Sequence, residues 1–222
     1  RGIRHLQLYN IAYYVAYTDD AKDAALEAGL TYVAIADPWV VFTLPSSDVI
    51  EVAEHEPSVW NDAVDFTTAS LEWYDDVDNL DRWMVADGPE EWRRITSVAE
   101  RLDHPAESYD TGEMPVRDVL VEDHRISFTT TAIGVPHVVK VSYFPNWKAA
   151  GADGPFRAAP SLMVVIPTSE EVVLTFEQTW VEFLGKGLTS ATLLLLAVWW
   201  YRAYRGKRSS LSDRRSIGEE AT

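Results

Sequence analysis

Hydrophobic and polar positions along the 222 residues fall into three regimes. In the first, covering residues 1–44, short apolar runs flank one helical stretch. Ile11 to Tyr17 is rich in aromatic and branched side chains and predicts a strand. Thr18-Asp19-Asp20 offers an N-cap and an acidic first turn, Ala21 to Ala28 predicts a helix, and Gly29 stands at its C′ position. Leu30 to Ile35 and Pro38 to Leu44 predict two more strands. The order strand–helix–strand–strand with short connections implies a small α/β lobe.

Residues 45–123 carry a weaker pattern and are expected to form an irregular, partly helical linking region. Asp65 to Met84 has helical spacing in part, with Phe66, Leu71, Trp73, Leu80 and Trp83 as its apolar members. Asp87 to Trp92 predicts a turn leading into a short helix, and His104 to Pro115 a loop. From His124 the period becomes two. Arg125 to Ile133 places Ile126, Phe128, Thr130 and Ala132 on one face. Val135 to Phe144, Ser161 to Ile166 and Val172 to Glu177 predict further strands, with Pro167 to Glu171 as a turn. The stretch 124–180 is therefore expected to supply an antiparallel, jelly-roll-like β-sandwich, making the fold class α+β.

The third regime is a single apolar run. Gly187 to Tyr201 is fifteen uncharged residues, centred on Leu193, Leu194, Leu195 and Leu196 and including Leu188, Val198, Trp199 and Trp200. Extended back to Val181 it reaches 21 residues, broken only by Glu182 and Lys186. A helix crossing a bilayer needs about 20 residues. Lys186 lies near one end, where its stem can carry the charge to the interface. Trp199, Trp200, Tyr201 and Tyr204 would form an aromatic belt at the other. A buried core helix is the competing reading of the same run. The span 181–201 is expected to be transmembrane.

Charge orients that span. Residues 202–222 carry a net charge of +3, with Arg202, Arg205, Lys207 and Arg208 directly after the apolar run, whereas residues 1–201 carry −19. Basic residues flanking a span mark its cytoplasmic side, so 202–222 reads as a basic cytoplasmic tail near anionic lipid, and the acidic bulk as extracytoplasmic, at a plasma membrane. The first residues have no charged-then-apolar leader pattern. Two expectations remain open: a leader removed from this chain, or, preferred, upstream transmembrane helices of the same protein. The overall charge of −16 argues against nucleic acid as a partner. With no cysteine, disulfides, thiolate metal sites and cysteine nucleophiles are excluded.

Several segments carry a resemblance. Val141-Ser-Tyr-Phe-Pro-Asn-Trp-Lys-Ala149, then Gly151-Ala-Asp-Gly-Pro155, then Ala159-Pro-Ser-Leu-Met-Val-Val-Ile-Pro167, followed by a strand and a terminal span, resembles the C-terminal ectodomain of large polytopic envelope proteins. The family is the 6-pyruvoyl-tetrahydropterin synthase-related membrane proteins, and more distantly the YfhO-like proteins. Asp87–Trp92 and Ile11–Tyr17 are similar to the first family too, so the resemblance covers most of the chain. It implies a GT-C-like glycosyltransferase architecture acting on lipid-linked sugars in cell-envelope glycan assembly. In such enzymes the catalytic carboxylate lies on an early external loop. This chain is then expected to be a non-catalytic domain with a terminal anchor, and no catalytic residue or cofactor carries over. Pterin chemistry has no support in the residues.

Candidate chemistry is sparse. Tyr143, Phe144 and Trp147 beside a proline, followed by Asp153, could stack on sugar rings and accept their hydroxyl hydrogen bonds. Alternatively Trp147 plugs the sandwich and Asp153-Gly154 makes the hairpin turn. Asp75, Asp76, Asp78 and Asp81 form an acidic run that reads as a calcium loop or as a solvated face. It lacks the sixth-position glycine and the terminal bidentate Glu of such a loop. The five histidines show no metal-ligand spacing, so no metal site is expected. Gly-x-Ser-x-Gly and phosphate-cradling loops are absent from the sequence. A single-pass surface binding or sensor module is the alternative to a glycosyltransferase-like parent. An enzyme acting by itself is a third reading.

Overall fold

The computed structural model describes residues 2–45, 48–61, 65–103, 108–109, 115–178 and 180–219, with side chains as far as 202. It divides into two compact units, Arg1–Glu177 and Gln178–Thr222. The first opens with helix α1 (Gly2–Leu8), a short element with little sequence signal of its own. Strand β1 (Tyr13–Ala16) leads to helix α2 (Asp19–Glu27). The Thr18 hydroxyl accepts the Ala21 N–H at 3.3 Å, and Gly29 follows the helix with φ +79°. Strands β2 (Thr31–Ala36) and β3 (Trp39–Thr43) complete a sheet in the order β1-β3-β2. Ala16, Ala25, Leu30, Phe42 and Leu44 form its small core.

Strands β4 (Ile50–Val52) and β5 (Ser58–Trp60) precede helix α3 (Phe66–Asp75) and a single 3₁₀ turn at Val77–Asn79. Two-residue strands β6 (Met84–Val85) and β7 (Arg94–Ile95) follow. The helix expected directly after Asp87–Trp92 is instead a turn entering β7. The Arg94 guanidinium donates to the carbonyls of Pro89, Glu90 and Trp92 at 2.7–2.9 Å, which holds the turn and sends the chain back beside β5. Most of the loop expected at His104–Pro115 lies outside the described residues.

Strands β8 (Val116–Glu122), β9 (Arg125–Thr130), β10 (His137–Val139), β11 (Trp147–Ala150), β12 (Ala152–Ala158), β13 (Leu162–Pro167) and β14 (Glu171–Phe176) complete the unit. Two sheets result: a seven-stranded one in the order β4-β10-β13-β12-β6-β5-β7, and a four-stranded one in the order β11-β14-β9-β8. The larger is mixed, because β5 runs parallel to both β6 and β7. Both cross the expected boundary at 123/124: β4 pairs with β10, β6 with β12 and β8 with β9.

Strand β13 is buried on both faces, which is why it reads as an unbroken apolar run instead of alternating. Met163 and Val165 join Phe128, Val172 and Leu174 in the core between the two sheets. Leu162 and Val164 join Phe66, Trp73 and Trp83 in the core under α3. A layer of helix thus covers one face of the large sheet and the small sheet covers the other. The architecture is α+β, with a β-rich domain and a separate C-terminal helix.

That helix, α4 (Trp180–Glu219), is the second unit. Its segment Trp180–Arg202 is long and apolar enough to cross a membrane. Leu193, Leu194, Leu195 and Leu196 are 55–70% exposed, so the run is not a core helix of this chain. The hydroxyls of Thr189, Ser190 and Thr192 donate to carbonyls one turn back, at Gly185, Lys186 and Leu188, all at 2.9 Å. Polar groups satisfied inside the helix can sit in hydrocarbon, where water offers no alternative partner. The helical backbone continues through Arg205, Lys207 and Arg208.

Candidate functional site

Residues 4, 7 and 8 of α1 share one helical face at i, i+3 and i+4 spacing. Helix α1 is fixed in place by His5 and Arg4. His5 stacks on Tyr74 with ring centroids 3.9 Å apart and its Nε2 meets the Tyr74 carbonyl at 2.9 Å. Arg4 donates to the Val77 carbonyl at 2.7 Å. The helix thereby becomes one wall of a groove of about 600 Å³. Leu8, Val52, Leu80 and Trp83 supply apolar lining. The polar lining is of mixed sign: Arg4 and Lys140 against Asp48, Glu51, Glu54 and Asp81.

Lys140, just past β10, has a side chain only 3% exposed. It is neutralised by Glu51 at 2.8 Å, and its Nζ also reaches the Gln7 carbonyl at 3.4 Å. A buried ammonium is tolerated only with such partners. This pair ties β4, the segment after β10 and α1 together across the groove.

At one edge, Glu54, His55 and Asp81 converge: one possible ligand atom from each lies within 4.8 Å of the others. His55 Nε2 is 3.8 Å from Asp81 Oδ2. The connection between β4 and β5 supplies the first two residues, and the turn before β6 supplies the third. Adjacent placement of Glu54 and His55 was the only local trace of this cluster. Asp81 is distant in sequence, and a search for paired histidines passes over a one-histidine set.

The acidic run is dispersed by the fold. Asp76 accepts from Asn79 and from the buried Arg101, at 3.0 and 2.6 Å. Asp78 is nearly fully exposed, 3.7 Å from Arg4, and Asp75 is exposed at the end of α3. Asp81 turns to His55. Three of the four carboxylates therefore have separate partners and Asp75 faces solvent, as on a solvated face. Asp76 illustrates the electrostatics: burial pushes its carboxyl up, but the hydrogen bonds from Asn79 and Arg101 and the guanidinium charge outweigh this and hold it below the usual range.

The sequence-predicted aromatic turn is largely interior. Trp147 is 6% exposed and meets Phe176 edge-on, with centroids 5.3 Å apart, in the core between the sheets. Tyr143 packs against the same core, and its N–H donates to the Ser161 carbonyl at 2.8 Å. Phe144 is the aromatic face left to solvent. Asp153 is exposed on β12, opposite Ile166. The pair Asp153-Gly154 does not make the hairpin turn: it lies where β12 bulges against β13, and Gly151 turns the chain between β11 and β12. Leu188, Val198, Trp199 and Trp200 lie exposed along α4 with the four central leucines.

No protein-family model, no curated protein and no solved structure matches the chain.

Proposed function

We propose that the chain is a membrane-anchored, extracytoplasmic binding domain of the cell envelope, held by α4 with its basic end in the cytoplasm. The observation that carries this reading is the apolar segment Trp180–Arg202, whose leucines remain exposed and whose Thr189, Ser190 and Thr192 hydroxyls are bonded within the helix. Burying such a run in lipid gains about 25 cal/mol for each Å² of apolar surface removed from water. The +3 charge of residues 202–222 supports the orientation.

In this proposal the domain belongs to a larger glycosyltransferase-like protein of glycan assembly and does not itself carry the reaction centre. The similarity of residues 141–167 to polytopic envelope proteins supports that placement. A single-pass surface binding module is the second reading, favoured by the groove against α1, which is large enough for a small polar ligand.

Because the chain lacks cysteine, single introduced thiols report topology cleanly. In intact cells, Asp123→Cys should react with a membrane-impermeant maleimide, and Ser210→Cys only after permeabilisation. Equal labelling of both in intact cells would overturn the single crossing.

A further inference from the structure

We propose that Glu54, His55 and Asp81 form a site for a first-row divalent cation of the Zn²⁺ or Mn²⁺ class at the edge of the groove. Ligands held about 2.0–2.2 Å from one ion stand about 3–4 Å apart. The 3.8 Å between His55 Nε2 and Asp81 Oδ2 falls in that range, yet it is too long for a hydrogen bond. The His55 ring is 15% exposed, and its Nδ1 is closed to solvent with no hydrogen-bond partner among the described residues. A cation would bind at the other ring nitrogen, Nε2, which faces Asp81 at the point where the three candidate ligand atoms converge.

Two of the neighbouring basic groups are engaged elsewhere. Lys140 is engaged by Glu51 at 2.8 Å, and Arg4 by the Val77 carbonyl at 2.7 Å. Arg82 Nε faces the same Asp81 oxygen from 3.9 Å, so a bound cation shares that carboxylate with the guanidinium. One imidazole with two carboxylates suits borderline metals better than Mg²⁺ or Ca²⁺, which take oxygen ligands throughout. Glu54 and Asp81 both line the groove, so the remaining coordination positions open into it, where water or an oxygen of a polar ligand completes the shell. The site lies wholly within the 1–177 unit and is independent of the membrane reading.

The test uses the full chain in detergent micelles, stripped with EDTA and titrated with ZnCl₂ by calorimetry and with MnCl₂ by the loss of the free-ion EPR signal. Saturable uptake of one ion per chain is expected, with affinity falling about tenfold or more in Glu54→Gln and in His55→Ala. Glu54 is exposed, so Glu54→Gln should keep the metal-free thermal midpoint of the parent while losing the upward shift that Zn²⁺ gives it. Absence of saturable uptake, or equal affinity in parent and both variants, would overturn the site.

Discussion

His137 shows how one buried side chain is fixed by its partners. Its Nδ1 lies 2.7 Å from the Val135 carbonyl, which can only accept, so Nδ1 carries the proton. Its Nε2, 2.8 Å from Thr130 Oγ1, then accepts that hydroxyl, while Thr130 itself accepts the Ala132 N–H at 3.1 Å. A second ring proton would break this chain. Burial pushes the His137 pKa down against a smaller upward effect of the Val135 carbonyl. The unfolded chain therefore binds a proton before the folded one does, and stability declines as pH falls below about 6.5. Denaturant melts at pH 7 and pH 5 should show that decline in the parent, and His137→Gln should reduce it. Asp76 has the opposite sign. Its depressed folded pKa contributes stability that is fully present above about pH 3.9 and lost as pH falls through the folded value. Asp76→Asn leaves the Arg101 side chain, 2% exposed, without its charged partner. Because Asp76 itself is 35% exposed, solvent screens the loss, and a cost of about 1–2 kcal/mol is expected at pH 7, shrinking at pH 3.

Among the elements, the turn 143–147 and the strand after it decide whether the aromatic residues pack or bind. Gly151 reverses the chain between β11 and β12 with φ +77°, and a Cβ there would collide with the Glu171 carbonyl oxygen. That tight turn pulls β11 against β14, in register Trp147 to Phe176, and carries the indole inward. Trp147→Ala should therefore destabilise the domain by about 3–5 kcal/mol, read from chemical denaturation. An unchanged midpoint would show the indole to be dispensable for packing. Strands β9, β13 and β14 were legible because their alternation or continuous apolar content matches their burial. Strands β6 and β7 have two residues each, too short for any period to show, and exist only because β5 and β12 offer ladder partners.

For the whole molecule, two chemically different surfaces are joined in one chain. The 1–177 unit buries apolar cores but leaves Tyr13, Tyr17, Tyr32, Ile35 and Trp39, in and beside its first sheet, exposed, and α4 leaves a continuous apolar run exposed over Trp180–Arg202. A helix of that composition requires lipid or detergent, and the acidic unit requires water. The topology experiment with thiols at 123 and 210 belongs to this scale, because the crossing is a property of the length and charge of the entire C-terminal segment and of no single residue.

Composition and periodicity alone specified the terminal apolar helix, the capped helix after Thr18 and the main antiparallel strands. Each of these depends on neighbours within a few residues, through hydrogen bonding, capping or a regular burial period. Tertiary structure alone decided that β4 to β8 enter the same sheets as the later strands, that Trp147 faces inward, and that His55 meets Asp81. Those outcomes depend on contacts between residues far apart in the chain, and only the closed sheets bring them within range.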